Sequence, residues 1–464
     1  MKQLGLQHKI ALILGFLLSF GLAFLLYNHL SATDNQTVSS QSQTKLPAIE
    51  ADDKIWVITD PHYLSPSLHD EQEAFLRMQY SAAGKDLRYG AQRMEALIAQ
   101  VDQEKPALLI VSGDLTFNGE KQSMEDLAGY FQQIEALGTQ VLVIPGNHDI
   151  SSGWARSFKE DKSSRVEQVL PKDFSTMFAA NGYQDALAKD PNSLSYLAAP
   201  FDDLWFLMID SNIYSETEGS GAPKTNGFLK KETLAWIDQQ LTEASNQGKR
   251  VIPIVHHNIL EHHAGITKGF VIDNAADLRG ILKNYSIPLA FSGHIHTQHI
   301  AQENLAPEKS LTEIVTGAFS VFPSAISQFQ IQGRQINYQQ IPLKMESWAS
   351  QTDQTDPDLL AYSDYMKAVF QKDSEIMAHT SLHDENRYDG NFADQVGKFM
   401  GPINLSYFSG HPLTQEWIQS DILENPAYQT LVKDYPDSFL LRYTNRILES
   451  NGQNHLTRQI EWDQ

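Results

Sequence analysis

A chain of 464 residues with 57 acidic against 35 basic side chains carries a formal charge of −22, which repels nucleic acid and other polyanions but leaves small anionic substrates open at a metal centre. That length predicts two folded domains and a large buried core. Cysteine is absent, which excludes disulfides, thiolate metal sites and a lipid-modified N-terminal cysteine, so any bound metal takes nitrogen and oxygen ligands.

Residues 10–27 form an uncharged apolar run that would span about 27 Å as a helix, close to the thickness of a hydrocarbon core. Lys2 and Lys9 precede it and Asp34 follows, which orients a single-pass membrane anchor with the remainder of the chain extracellular. A cleaved signal peptide ending near Leu30-Ser31-Ala32 is the competing reading, and it leaves the protein secreted. The expected organisation is an anchor or signal segment over 1–30, a polar stalk over 31–52 rich in Ser, Thr, Gln and Asp, a catalytic domain over 53–345 and a helical domain over 358–464.

Apolar strand-like runs over 55–59, 108–112, 141–145, 251–255 and 289–292 each end in metal-ligand side chains. These are Asp60-Pro61-His62, Gly113-Asp114, Gly146-Asn147-His148-Asp149, His256-His257 and Gly293-His294-Ile295-His296. Ligands at strand ends converge on one edge of an α/β sheet, where the departing loops share a crevice. A lone Asp or His at such a place more often caps or satisfies local structure; five motifs in order point to a common site. On an extended segment Asp60 and His62 share a face and can bind one ion. Asp114, after a glycine that permits a tight turn, can bridge two ions with its two carboxylate oxygens. Amphipathic stretches over 91–103, 124–136 and 231–246 alternate with the strands, the signature of layered α/β structure. Trp236 in the last is expected in the core. Strands follow over 312–316, 328–332 and 335–341, with Gly333-Arg334 as a hairpin turn. The polar run 351–357 marks a boundary. Beyond it 359–385, 392–399, 413–422 and 428–450 read as helices, the last broken at Pro436.

The ordered set Asp-x-His, Gly-Asp, Gly-Asn-His-Asp, His and Gly-His-x-His resembles the calcineurin-type metallophosphoesterase family over residues 53–340. Within it, Ser-Gly-Asp-Leu-Thr-Phe-Asn-Gly-Glu over 112–120, and more weakly 404–410, is similar to exported Gram-positive members of the cyclic nucleotide phosphodiesterase type. The resemblance implies an α/β fold, a two-sheet β-sandwich flanked by helices, with the C-terminal helical domain appended. It also implies two metal ions, one held by Asp60, His62, Asp114 and His296, the other by Asp114, Asn147, His256 and His294. His257 takes a supporting place, and His262, His263 and His299 are expected in loops or at the surface. His148 is the expected general acid toward the leaving oxygen. Asp149 either fixes its tautomer and raises its pKa or caps a following helix.

Carboxylate, amide and imidazole ligands suit Mn, Fe, Zn or Co, with Mn or an Fe/Mn pair expected. The expected function is hydrolysis of a small phosphate ester by a phosphodiesterase outside the cytoplasmic membrane. A phosphomonoesterase or nucleotidase of the same fold is one alternative, and a wall-binding surface protein that retains the fold is another. Arg77, Lys85 and Arg88 are candidate phosphate contacts, with surface solvation the plainer role.

Overall fold

The computed structural model describes residues 46–263, 267–307, 309–387 and 389–462. The apolar run over 10–27 and most of the stalk expected over 31–52 lie outside the described residues. Among the described residues no helix is long and apolar enough to cross a membrane.

Strands covered on both faces read as continuous apolar runs rather than alternating ones, and Ile55–Ile58, Leu108–Ser112 and Leu289–Ser292 are buried at every position. The first sheet has six strands in the order Thr457–Glu461, Gln335–Pro342, Ala325–Gln332, Ile55–Ile58, Leu108–Ser112, Gln140–Ile144. The second has seven, in the order His299–Ala306, Lys309–Val315, Leu289–Ser292, Arg250–Val255, Leu204–Ile209, Tyr196–Ala198, Ala188–Lys189. In Leu204–Ile209 the side chains alternate as strand geometry requires. Phe206 and Met208 join a core shared with Phe329 of the first sheet. Trp205, Leu207 and Ile209 face the helices Lys231–Asn246 and Ala275–Asn284, where Trp236 is buried as expected. Phe291 and Phe329 stack across the sandwich at 5.1 Å, and Gly90–Glu104 and Lys121–Ala136 cover the first sheet through Met94, Leu97, Leu127 and Phe131.

Register then positions the motifs. Ile55 pairs with Leu108 and Leu108 with Gln140, all parallel, so the strands end level. The Asp60 N–H donates to Gly113 O and the His62 N–H to Asp114 O, each at 3.0 Å. In the second sheet Arg250–Val255 and Leu289–Ser292 are also parallel, and the Gly293 N–H donates to His256 O at 3.0 Å.

The C-terminal helices Tyr362–Asp384, Gly390–Ser409, Pro426–Asp434 and Phe439–Ser450 bury a core of their own, with Phe399, Met400, Leu431 and Ile447 among its members. Pro436 falls between the last two, as expected. Two features depart from the sequence reading. The helix expected over 392–399 runs Gly390–Ser409 and absorbs Pro402. The region 358–464 is not helical to its end, because Thr457–Glu461 returns to the first sheet and pairs antiparallel with Gln335–Pro342, Ile460 opposite Ile336. Only Ile460 of that strand is buried, so no apolar run announces it; its partner's backbone hydrogen bonds set its place.

Candidate metal centre

The strand-end ligands meet at one place. Asp60, His62, Asp114 and His296 each offer one ligand atom within 4.8 Å of the others, as do Asp114, His256 and His294. Asp114 belongs to both groups. Asn147 joins through Oδ1, 3.2 Å from His256 Nε2.

The turns that carry these residues are left-handed. Asp60, His62, Asp114, His294 and His296 hold φ between 41° and 71°, a region that costs a non-glycine residue on the order of 1 kcal/mol or more and clusters at functional sites. The extended segment expected at Asp60 and His62 is absent, since the strand stops at Ile58. The two side chains converge because the chain coils back, not because alternate residues share a face. Gly113, at φ 98°, leaves no room for a side chain: a Cβ would lie 2.4 Å from His256 Nδ1 and 2.9 Å from Gly146 Cα.

Hydrogen bonds on the outer side of the ligands leave the inner atoms free. His256 Nδ1–H donates to Ser112 O at 3.0 Å and His294 Nε2–H to Gly269 O at 2.8 Å. His294 Nδ1 thereby keeps its lone pair, and His256 Nε2 is the nitrogen turned to Asp114. Asp60 Oδ2 accepts from Thr59 Oγ1 at 2.6 Å and from the His294 N–H at 3.0 Å, while its Oδ1 is buried without a hydrogen-bond partner. Asp114 Oδ1 accepts the His148 N–H at 2.8 Å. Its Oδ2 faces His62 Nε2 at 3.6 Å and His256 Nε2 at 3.4 Å, so one oxygen rather than two is presented to both groups. His62 Nε2 and His296 Nε2 face each other at 3.1 Å. Acceptors converging in buried space need a cation between them, and this oxygen and nitrogen set fits divalent ions of the Mn, Fe or Zn type.

Electrostatics agree. Burial works to raise the Asp114 carboxyl, yet the His256 and His148 rings hold it well below its ordinary range. Burial works to lower His256, yet Asp114 holds it up at about 9. Burial, helped by the Lys85 ammonium, pushes His62 well down, and burial beside His256 pushes His294 to about 4. A proton held between His256 and Asp114 must leave when a metal binds.

His148 stands beside His62, ring centroids 5.1 Å apart. Its Nδ1–H points to Asn118 Oδ1 at 2.9 Å and Phe117 O at 3.0 Å, which leaves Nε2 for substrate. The orienting role expected of Asp149 therefore falls to Asn118 and Phe117. The Asp149 carboxylate instead accepts the N–H groups of Leu115 and Thr116 at 2.9 Å and of Gly146 at 2.8 Å, which ties the Asp114 turn to the Asn147 turn. It caps no helix, since the next begins at Pro171. Burial beside Asp114 pushes it up to about 7. Asn118 lies within the 112–120 stretch, but a loop amide has no periodicity to reveal its partner.

Of the histidines expected in loops or at the surface, His262 and His263 lie in a loop, while His262 and His299 are buried and His263 is half-buried. His257 is buried and lies 2.8 Å from Ser211 Oγ, a supporting place. His262 Nδ1 and His299 Nδ1 are 3.0 Å apart, and His299 stacks on His455 at 4.1 Å. Arg77 and Arg88 pair with Glu73 and Glu71.

Residues 53–298 match the family model described as calcineurin-like phosphoesterase, and 344–454 match that described as the C-terminal domain of cyclic nucleotide phosphodiesterase. A glycerophosphodiester phosphodiesterase GpdQ from Enterobacter lignolyticus is 25% identical over 214 residues, 46% of this chain and 64% of that protein. A protein of Moraxella catarrhalis named probable cyclic nucleotide phosphodiesterase is 24% identical over 45% of this chain and 65% of its own length. In both cases the match spans less than two thirds of the relative. Among solved structures, a dimetal phosphatase from Danio rerio aligns over 63% of this chain and 97% of its own, at 13% identity and a TM-score of 0.45.

Proposed function

Because the chain belongs to the calcineurin-like phosphoesterase family and carries a cluster of metal-ligand side chains, we propose that it is a metal-dependent phosphoesterase, more narrowly a phosphodiesterase, with His148 as the acid that protonates the leaving oxygen. The observation that carries this reading is the pair of ligand groups sharing Asp114, with His148 beside them. Asp60, His62, Asp114 and His296 on one side and Asp114, His256 and His294 on the other would hold two cations, which would supply Lewis-acid activation of a water and neutralise charge on the phosphoryl group. The Asn118 and Phe117 oxygens hold the His148 ring by Nδ1, so that Nε2 donates to the alcohol as its bond to phosphorus breaks. Burial pushes His148 below its ordinary range against the pull of Asp114; a bound phosphate anion adds negative charge and favours the protonated ring.

A diester is favoured over a monoester by the cavity of about 440 Å³ that opens beside His148, lined by Phe117, Trp154 and Phe158. It has room for an ester substituent. The names of the relatives and the C-terminal match support the same class. We further propose Mn or an Fe/Mn pair as the metals, and action outside the cytoplasmic membrane, the latter motivated by the apolar run over 10–27 with Lys2 and Lys9 before it. The test is turnover of bis(4-nitrophenyl) phosphate against 4-nitrophenyl phosphate by metal-loaded protein. Preference for the diester is expected; a strong monoester preference sinks the diesterase assignment in favour of a phosphomonoesterase.

A further inference from the structure

Lys85, a candidate phosphate contact for which surface solvation is the plainer expectation, is only 8% exposed. Its ammonium has one hydrogen-bond acceptor, Ala82 O at 3.3 Å, and among the described residues it forms no ion pair within 4.0 Å. A buried charge without a partner is costly, and proteins normally supply one. Lys85 lines the same cavity as His148. Its charge acts on Asp114, Asp60 and Asp373 and also on His62 and His148. Once cations neutralise Asp60 and Asp114, Asp373 is the one carboxylate of these three still acting on Lys85, and it forms no ion pair with the ammonium within 4.0 Å, which leaves room for a substrate anion to make that contact.

The position of Lys85 is set from the C-terminal domain. Its neighbour Gly84, at φ 74°, lies so close to Phe370 that a Cβ there would meet the ring at 2.5 Å. Its other neighbour, Asp86, is gripped by Arg93 and by the hydroxyls of Tyr362 at 3.0 Å and Tyr365 at 3.1 Å. Phe370, Tyr362 and Tyr365 all belong to the helix Tyr362–Asp384. From that helix Asp373 also bears on Lys85, the Gly84 N–H and His296.

We propose that Lys85 binds a phosphoryl oxygen of the substrate, and that the helix Tyr362–Asp384 positions it, which gives the C-terminal domain a part in the active site. This rests on the phosphoesterase reading above. Lys85→Met, Lys85→Arg, Asp373→Asn and the Met/Asn double variant are compared with the full chain by kinetics on bis(4-nitrophenyl) phosphate, inhibition by inorganic phosphate and metal content. Loss of one charge-assisted hydrogen bond predicts that Lys85→Met raises KM and weakens phosphate inhibition by about tenfold or more, with metal content unchanged. Lys85→Arg restores most of this. Asp373→Asn shifts the same quantities less and adds nothing to Lys85→Met, whereas a purely structural role would lower Tm and leave phosphate inhibition alone. Lys85→Gln carries the same expectation if the Met variant does not fold.

A wild-type chain that holds metal but hydrolyses no phosphate ester overturns the phosphoesterase reading and this inference with it. Wild-type turnover that Lys85→Met leaves within about twofold, together with unchanged phosphate inhibition, overturns the assignment of Lys85 alone. Effects of Asp373→Asn that add in full to those of Lys85→Met overturn the positioning role of the helix.

Discussion

Two sets of largely buried histidines do different work. His256, His294 and His296 follow strands, and the first two commit one nitrogen to a backbone carbonyl, leaving the other turned toward Asp114. His262, His263, His299 and His455 sit where the C-terminal helices dock on the catalytic sheets. There they pair with one another, with Glu313 at 3.1 Å and with Tyr407 at 2.7 Å. Depth does not divide the sets: His256, His262, His299 and His455 are buried, and each set also reaches half-buried positions, His294 and His296 in the first and His263 in the second. Among the described residues, what separates them is that only the strand-end set brings three or more ligand atoms within 4.8 Å. A histidine is thus marked as a ligand by what its second nitrogen leaves free, not by depth.

The sharpest way to break that distinction is Asp114→Asn. Partners outside the ligands are themselves worth roughly 10- to 100-fold, so loss of the shared ligand is expected to abolish turnover and weaken metal binding more than that, read by activity and elemental analysis. Next, the acid role proposed for His148 predicts that His148→Asn lowers kcat by on the order of 10² to 10⁴ while metal content stays, since that role acts on the proton and not on the cations. Asn118→Ala should cost roughly tenfold in kcat, also with metals in place, by freeing the ring that its amide oxygen holds. An Asn118→Ala variant as active as wild type would return the orienting role to Phe117 O alone.

Stability against pH probes the second set. Burial holds His263 and His455 down to about 4, and burial with His262 holds His299 down to about 2. In the unfolded chain these rings titrate near pH 6.5. Below that pH the unfolded chain binds more protons than the folded one, so stability falls as pH drops from about 6.5 toward 4. A His299→Gln variant is expected to lose part of that acid slope in Tm while keeping its metals. The smallest effect expected has the opposite sign. Burial raises Glu120 from 4.5 to about 8, so its contribution is complete below 4.5 and is lost as pH rises through 8. Glu120→Gln should flatten Tm on that side.

Much of the centre was legible because its ligands sit at the ends of strands buried on both faces, which read as plain apolar runs in any frame. Such runs fix the element, and parallel pairing brings their ends level. Left-handed φ at Asp60 and His62 was not legible, since nothing in Asp-Pro-His distinguishes a coil-back from an extended exit. The partners of Asp149 were not either: a carboxylate that accepts N–H groups from residues 115 and 116 depends on contacts more than 30 residues apart along the chain. The setting of Lys85 depends on a helix that begins 277 residues later, and the return of Thr457–Glu461 on backbone pairing with a single buried side chain, Ile460.

The claim at the centre is that Asp114 joins two cation sites into one. Elemental analysis of freshly purified full-length protein, beside its Asp114→Asn variant, tests this most directly. A shared centre predicts two ions per chain in the wild type and loss from both positions in the variant. One ion or none in the wild type, or a variant that keeps two, contradicts it.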